Sequence, residues 1–81
     1  MTRFPALEGK DVVAVLKEHG FAEERQRGSH LLLKHVDGRA TVVPLHAGET
    51  IGPGLFAKIL RDVELSREEF LKDVKGRRKK K

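Results

Sequence analysis

Glycines spaced eight to ten residues apart divide the middle of this chain into segments that are too short for long helices. Gly20, Gly28 and Gly38 each lie beside polar or charged residues, a pattern typical of turns. The segments that follow Gly28 are rich in leucine and β-branched residues, which favours short strands. Helical patterns precede and follow these segments. The sequence therefore predicts an α+β fold in which a small antiparallel sheet packs against helices.

Apolar residues fall at helical spacing in two regions. The first region is residues 9–20, where Gly20 is suited to the left-handed conformation that often ends a helix. Its apolar stripe consists of Val12, Val13 and Leu16. The second stripe consists of Leu55, Phe56, Ile59, Leu60 and Val63. Ser66 and Glu69 then match a capping box that opens a short last helix through Val74.

Three strands are predicted between the helices, over residues 21–26, 30–36 and 39–45. The dipeptide Asp37-Gly38 is a strong hairpin signal between the second strand and the third. Pro44 has no N–H group for a ladder, so we expect it where pairing stops or on an edge. The order α-β-β-β-α, with a short extra C-terminal helix, predicts a three-stranded antiparallel sheet. Helices would cover one face and leave the other free for a ligand.

The alternation of side chains along the second strand separates its two histidines. In a regular strand one face carries His30, Leu32 and Lys34, and the other carries Leu31, Leu33 and His35. Leucines on both faces leave open which face is buried. His30 and His35 nevertheless point in opposite directions and cannot both line one site without a bulge.

Positive charge is concentrated at the carboxyl end. The 81-residue chain has 17 Lys/Arg, 12 Asp/Glu and a net charge of +5. Residues 75–81 contain six of these cations and no acidic residue, which leaves 11 against 12 and a net charge of −1 in residues 1–74. We expect a single domain over residues 1–74 and a disordered basic tail over residues 75–81. The tail either stays solvated or adds salt-sensitive affinity for a nucleic acid.

Composition also limits the cellular compartments and the cofactors that are compatible with this sequence. The chain has no cysteine, which excludes disulfides and thiolate metal sites. No segment approaches the roughly 20 apolar residues of a membrane span, and residues 1–5 lack the apolar run of a signal peptide. The spacing of the histidines matches no common set of metal ligands. We therefore expect a cytoplasmic protein with no membrane contact, no metal and no cofactor.

One turn combines groups that bind phosphate with a group that can transfer a proton. Arg25 and Arg27 offer paired guanidinium donors, and Gly28 would let a phosphate approach the backbone. Ser29 adds a hydroxyl group, and His30 can give or take a proton near neutral pH. Cleavage of RNA through its own 2′-hydroxyl group needs such a base, an acid and cations. The cluster permits this chemistry, although most histidines at the start of a strand have no catalytic role.

The other histidines have competing interpretations. His46 is either a second proton carrier or an anchor for the end of the third strand. His19, in the last turn of the first helix, is explained by a favourable interaction with the helix C-terminus. His35 flanks the hairpin and has no expected chemical role. Of the four aromatic residues, two could stack on a base (Phe4 and Phe21) and two fit the core (Phe56 and Phe70).

Several short motifs occur in a characteristic order from Gly9 to Leu71. They are Gly20-Phe21, Gly28-Ser29-His30 after Arg-x-Arg, Asp37-Gly38-Arg39, Val43-Pro44-Leu45-His46, Pro53-Gly54-Leu55 with Ile59-Leu60, and Leu65-Ser66 with Glu68-Glu69-Phe70-Leu71. Together they resemble the HicA toxins, the small mRNA interferases of HicA/HicB toxin–antitoxin pairs. The run Leu31-Leu32-Leu33 is more apolar than the family pattern, which suggests a contact face for an antitoxin or a second copy.

The resemblance implies a fold like that of double-stranded-RNA-binding domains and a metal-independent endoribonuclease that cleaves mRNA. It implies that His30 is catalytic, and we expect it to act as a general acid or base, with His46 as the possible second proton carrier. The residues expected to bind phosphate or support His30 are Arg25, Arg27, Gly28, Ser29 and Lys34. The implied partners are single-stranded mRNA and a HicB-like antitoxin. The protein would associate with DNA only indirectly, through the antitoxin.

Two other functions stay open. A non-catalytic RNA-binding module of the same fold would bind RNA in a salt-sensitive manner without cleaving it. An inactive, toxin-like protein would bind its antitoxin and leave cells unharmed when expressed alone. Replacement of His30 by alanine abolishes cleavage in the leading interpretation and causes only modest losses of RNA binding if the chain is a non-catalytic module.

Overall fold

The computed structural model describes residues 7–79 and the side chains of residues 7–74. The elements, in order, are α1 (Gly9–Glu18), β1 (Ala22–Arg27), β2 (His30–Lys34), β3 (Ala40–Pro44), α2 (Pro53–Val63) and α3 (Arg67–Lys79). This order confirms the predicted α+β class, with three strands between helices and an additional helix at the end. Within the described residues, no helix combines the length and the apolar content needed to cross a membrane.

The three strands form one antiparallel sheet with β2 at its centre. Leu31 and Leu33 of β2 are buried in the core that the sheet shares with the helices. The opposite face is open, and His30 and Lys34 are exposed on it, with Leu32 half-buried between them. The sequence left open which face of β2 is buried. In the structure it is the face of Leu31 and Leu33, so His30 lies on the open face.

The connection between β2 and β3 is one residue longer than predicted. The hairpin signal implied a two-residue loop, Asp37-Gly38. Instead the N–H of His35 donates to the carbonyl oxygen of Arg39 at 2.8 Å, so three residues form the loop. Gly38 closes it with a φ of 103°, which favours glycine. Val36 consequently belongs to the loop rather than to β2, and its side chain is 98% exposed.

The strand β1 is an edge strand whose six residues are all exposed. A bulge at Glu24 shifts its register against β2. Beyond the bulge, Arg25 pairs with Leu32 and Arg27 pairs with His30. Because residues directly opposite each other project from the same face of an antiparallel pair, both arginines lie on the open face.

The last helix is longer than predicted. The capping box of Ser66 and Glu69 is present, and each backbone N–H donates to the other side chain at 3.0 Å. The helix continues beyond Val74 to Lys79, into the stretch predicted as a basic tail. The end of that stretch and all of its side chains lie outside the described residues, and its disorder stays a prediction.

The prediction that Phe21 could stack on a base is wrong. Its ring is 3% exposed and meets the ring of His35 edge-on, with 5.1 Å between centroids. The guanidinium group of Arg39 lies over the ring of Phe21, 5.2 Å from its centroid. Phe21 is therefore part of the core, and Phe4 lies outside the described residues.

The two remaining aromatic residues and His19 hold the last helix in place. Phe56 and Phe70 are buried, as predicted, with 5.1 Å between their ring centroids in an edge-to-face contact. His19 is the C-cap residue of α1. Its Nε2 also lies 2.5 Å from a carboxylate oxygen of Asp73, so the side chain links α1 to α3 as well as standing at a helix end.

Candidate active site

His30 stands at one end of the sheet, where the strands β1 and β2 meet. It is the first residue of β2, with Arg27 opposite on one side and Pro44 on the other. Gly28 and Ser29 alone connect Arg27 to His30. Gly28 has a φ of 56°, as glycine commonly does at the first position of a two-residue hairpin loop. Arg27 and His30 are thereby held side by side on the open face.

His46 reaches the same place from β3. Pro44 is the last residue of that edge strand and pairs with His30, which confirms the position predicted for a proline. The N–H of Leu45 then donates to the carbonyl oxygen of Ser29 at 2.6 Å. The rings of His30 and His46 are nearly perpendicular, at 88°, with 6.3 Å between their centroids. The strand register thus brings together two histidines that are 16 residues apart in the sequence.

The side chain of Ser29 contacts His46 rather than His30. Its Oγ lies 3.2 Å from Nε2 of His46, whereas from the sequence we expect Ser29 to support His30. A hydroxyl group can donate to an unprotonated Nε2 or accept from a protonated one. Ser29 can therefore orient the imidazole of His46 in either tautomer.

The start of α1 packs directly against the segment that carries His46. A Cβ atom on Gly9 would lie 2.0 Å from the carbonyl oxygen of Pro44 and 3.2 Å from the side chain of Leu45. No larger residue fits without a shift of the backbone. The helix start therefore fixes the backbone that leads from β3 to His46.

A shallow cavity lies beside His30 on the open face. It has a volume of about 260 Å³ and is lined by Arg25, Arg27, His30, Leu32 and Val42. Two guanidinium groups and an imidazole thus border one depression together with two aliphatic side chains. Planar guanidinium donors are well suited to phosphate oxygens.

Lys34 lies on the same face but at the other end of β2. Four residues separate it from His30, which corresponds to roughly 13 Å along a strand. It does not line the cavity beside His30. A phosphate held by Lys34 would therefore be a different one from a phosphate held at His30.

Leu32 and Val42 are the residues of this cavity that sequence reasoning missed. The strand β3 contains adjacent valines, and their order does not tell which one faces outward. The length of the loop after β2 decides this, because a three-residue loop pairs Val42 with Leu32 on the open face. With the predicted two-residue loop, Asp37-Gly38, Val36 would pair with Arg39 and the alternation along β3 would be reversed.

The site as a whole offers two groups able to transfer protons and two fixed cations on an exposed surface. Its residues come from the β1–β2 hairpin and from the end of β3. Within residues 7–79 of the structure, no group of three or more His, Cys, Asp or Glu side chains could hold a metal ion. The chemistry that these side chains supply is proton transfer and binding of anions.

Comparison with known families gives a match that covers the entire site. Residues 9–65 match the family described as the HicA toxin of bacterial toxin–antitoxin systems. The comparison with individual curated proteins gives no match. The matched residues run from the start of α1 past the end of α2 and include both histidines of the site. The chain belongs to the HicA family, the toxins of bacterial toxin–antitoxin systems.

Proposed function

We propose that the protein is an endoribonuclease that cleaves single-stranded mRNA without a metal ion, with His30 as a general acid or base. The observation that carries this proposal is the pair of exposed imidazoles of His30 and His46, 6.3 Å apart. Arg25 and Arg27 lie on the same face as His30 and line the cavity beside it. Membership of a toxin family gives the activity a biological setting.

RNA carries the nucleophile for this reaction in its own 2′-hydroxyl group. A base removes the hydroxyl proton, and the 2′-oxygen attacks the adjacent phosphorus atom. The bond from phosphorus to the 5′-oxygen breaks, and an acid protonates that leaving oxygen. The products are a 2′,3′-cyclic phosphate and a free 5′-hydroxyl group. Cations stabilise the charge that develops on the phosphate oxygens.

The two imidazoles can serve as the base and the acid of this reaction. A phosphodiester group placed between His30 and His46 would present its attacking oxygen to one ring and its leaving oxygen to the other. Ser29 would hold the second ring in position through the contact at 3.2 Å. Arg27, directly opposite His30 in the sheet, would bind the same phosphate, and Arg25 would support it.

The partners follow from the same site. Single-stranded RNA is the proposed substrate because its backbone can enter a shallow, open face. A HicB-type antitoxin is the proposed protein partner, and it would inhibit the enzyme by covering this face. The toxin would then approach DNA only through its antitoxin.

The test is cleavage of a short single-stranded RNA in EDTA, with an all-2′-deoxy strand of the same sequence as the parallel substrate. Wild type should cleave only the RNA and leave a 2′,3′-cyclic phosphate. His30→Ala should lose about 10²-fold or more in rate and still bind RNA, and His46→Ala should behave in the same way. Arg61→Gln, which removes an exposed cation from α2, is the control and should leave the rate unchanged.

Three outcomes would contradict the proposal. Cleavage of RNA by His30→Ala at the wild-type rate would remove that residue from the chemistry. If both wild type and His30→Ala bind RNA and neither cleaves it, the chain is a non-catalytic binding module. Failure of the wild type both to bind and to cleave RNA, with a complex still formed with the antitoxin, would indicate an inactive partner-binding protein.

A further inference from the structure

The open face of the sheet has an aliphatic patch at the place where the arginines meet His30. Within the described residues, the large apolar side chains that are exposed are Val36 at 98% and Val42 at 42%. Val36 is in the loop between β2 and β3, away from the site. Val42 pairs with Leu32, and both side chains line the cavity of about 260 Å³ beside His30. The patch therefore belongs to the floor of that cavity.

Positive charge borders this patch on β1 and β2, and acidic residues are absent from its rows. Three rows of paired residues cross the open face, and they are Arg27–His30–Pro44, Arg25–Leu32–Val42 and Ala22–Lys34–Ala40. Each row has at least one residue that is cationic or can become so, and none has an acidic residue. A ligand that suits this face is therefore anionic at its edge and apolar at its centre.

The size of the patch favours a nucleotide over a protein. A stable protein–protein interface buries roughly 800 Å² on each partner, and two aliphatic side chains supply only a small part of such an area. Single-stranded RNA presents its bases unstacked beside anionic phosphates, and one base needs only a small apolar surface to lie on. The cavity offers an apolar contact for a base and cationic contacts for a phosphate, and one nucleotide can make both.

We infer that this cavity is a subsite for the nucleotide next to the scissile phosphate. The base of that nucleotide lies on Leu32 and Val42, and the scissile phosphate attached to it contacts Arg27, with Arg25 beside it. The placement next to the scissile bond rests on the proposed function, because it assumes that cleavage occurs at His30. Occupancy of the cavity by a nucleotide can be tested without any cleavage.

The test measures binding of a hexanucleotide that cannot be cleaved because every 2′-oxygen is methylated. One version carries all six bases, and six further versions each lack one base. Fluorescence anisotropy gives the affinity of each version for wild type, Val42→Thr and Val36→Thr. Threonine keeps the branched shape of valine, and Val36→Thr is the matched control because Val36 is exposed away from the cavity.

The subsite predicts coupling between Val42 and one base. Val42→Thr should weaken binding of the complete hexanucleotide roughly fivefold, because a polar group replaces an apolar contact. At one position, removal of the base should abolish this difference, which is the signature of direct contact in a double-mutant cycle. That position should adjoin the bond that wild type cuts in the unmethylated RNA. Val42→Phe should tighten binding of the complete strand about fivefold or more, since an aromatic ring stacks on a base.

Two results would overturn the inference. One is equal affinity of wild type and Val42→Thr for every version, together with no gain from Val42→Phe. The other is a loss of antitoxin binding in Val42→Thr with no coupling to any base, which would make the patch a protein interface. If coupling is found but the RNA is never cut, the nucleotide site stands and the proposed enzymatic function fails.

Discussion

At the scale of single residues, Ser29 has the most consequential contacts. Its carbonyl oxygen accepts the N–H of Leu45, and its hydroxyl group contacts His46. One residue of the β1–β2 turn therefore holds both the backbone and the side chain at the end of β3. Without the hydroxyl group, the backbone contact would persist and the imidazole of His46 would be free to rotate.

Ser29→Ala should lower the rate of RNA cleavage about five- to tenfold, the order expected for loss of one neutral hydrogen bond. The affinity for RNA should stay unchanged, because the cations of the site are untouched. Ser29→Thr, which retains a hydroxyl group, should restore much of the rate. The measurement is single-turnover cleavage at increasing protein concentration, in which Ser29→Ala should lower the maximum rate and leave the half-saturating concentration unchanged. An unchanged maximum rate with a lower affinity would show a merely structural role.

The sequence predicts part of this site and could not predict the rest. The Gly-Ser-His motif points to His30, because turn residues beside a proton carrier and two arginines form a recognisable cluster. The pairing of Ser29 with His46 depends on the register of β3, which local sequence does not encode. Lys34 illustrates the same limit, because it shares a face with His30 and is still too far along the strand to share a phosphate.

At the scale of elements, the start of α1 and the end of β3 depend on each other. Gly9→Ala would force its new methyl group against the carbonyl oxygen of Pro44, since the added Cβ would lie 2.0 Å from it. We expect a loss of about 1–3 kcal/mol in the free energy of unfolding, as for other overpacked sites, measured by urea denaturation. Gly54→Ala is the control, because a Cβ there meets no atom within 4 Å. Equal unfolding midpoints for the two variants would contradict the close contact.

The sheet and α2 are joined by a polar contact whose contribution to stability depends on pH. The buried hydroxyl group of Thr41 donates to Asp62 at 2.9 Å, and Lys58 donates to the same carboxylate oxygen at 2.8 Å. The hydrogen bond from Lys58, assisted by that from Thr41, holds the pKa of Asp62 below its ordinary value of 3.8. A carboxylate with a lowered pKa stabilises the folded state above its unfolded pKa, and the contribution is lost as the pH falls through the folded value.

Asp62→Asn should therefore make the stability less dependent on pH below about 4. At pH 7 the variant should be less stable by about 1 kcal/mol, because it keeps an acceptor for Thr41 but loses the charge. Urea denaturation at pH 7 and pH 3 measures both effects. Glu64→Gln removes a charge from the exposed end of the same helix and serves as the control. A flattening of the pH dependence of equal size in Glu64→Gln would contradict the assignment to Asp62.

The elements themselves were largely predictable, and their ends were not. Helical spacing and capping residues located all three helices, and β-branched and leucine-rich segments located β2 and β3. The strand β2 ends at Lys34 rather than at residue 36, because His35 and Arg39 close a longer loop than Asp37-Gly38 alone would make. The buried face of β2 could not be predicted, because leucine occupies three successive positions. An apolar–polar alternation identifies the buried face only where the other face is polar.

At the scale of the whole molecule, the excess of positive charge lies at the carboxyl end. The chain has a net charge of +5, and six of its cations are in residues 75–81. Replacement of these six residues by glutamine should weaken RNA binding at low salt. The slope of log affinity against log salt should become shallower by up to about 0.7 for each cation that contacts the RNA. The positions of cleavage should not change, because the residues proposed to hold the scissile nucleotides lie on the open face.

Cleavage products resolved at single-nucleotide length, across a series of salt concentrations, check this prediction. Arg61→Gln is again the control, because it removes an exposed charge from α2 alone. An unchanged salt dependence would mean that the carboxyl end stays solvated and does not contact RNA. A changed set of cut positions would mean that it helps to select them.

The three-residue loop after β2 also bears on how this chain can vary. Surface loops generally tolerate insertions and deletions, and this one is fully accessible at Val36. Removal of one residue would leave two residues between His35 and Arg39, the commonest length of a hairpin loop, so the same pair could still close it. A shift of the pairing by one residue is different, because it would turn Val43 outward and Val42 inward and move Pro44 from its place opposite His30. The candidate site therefore constrains the register of β3 and leaves the length of the loop free to vary.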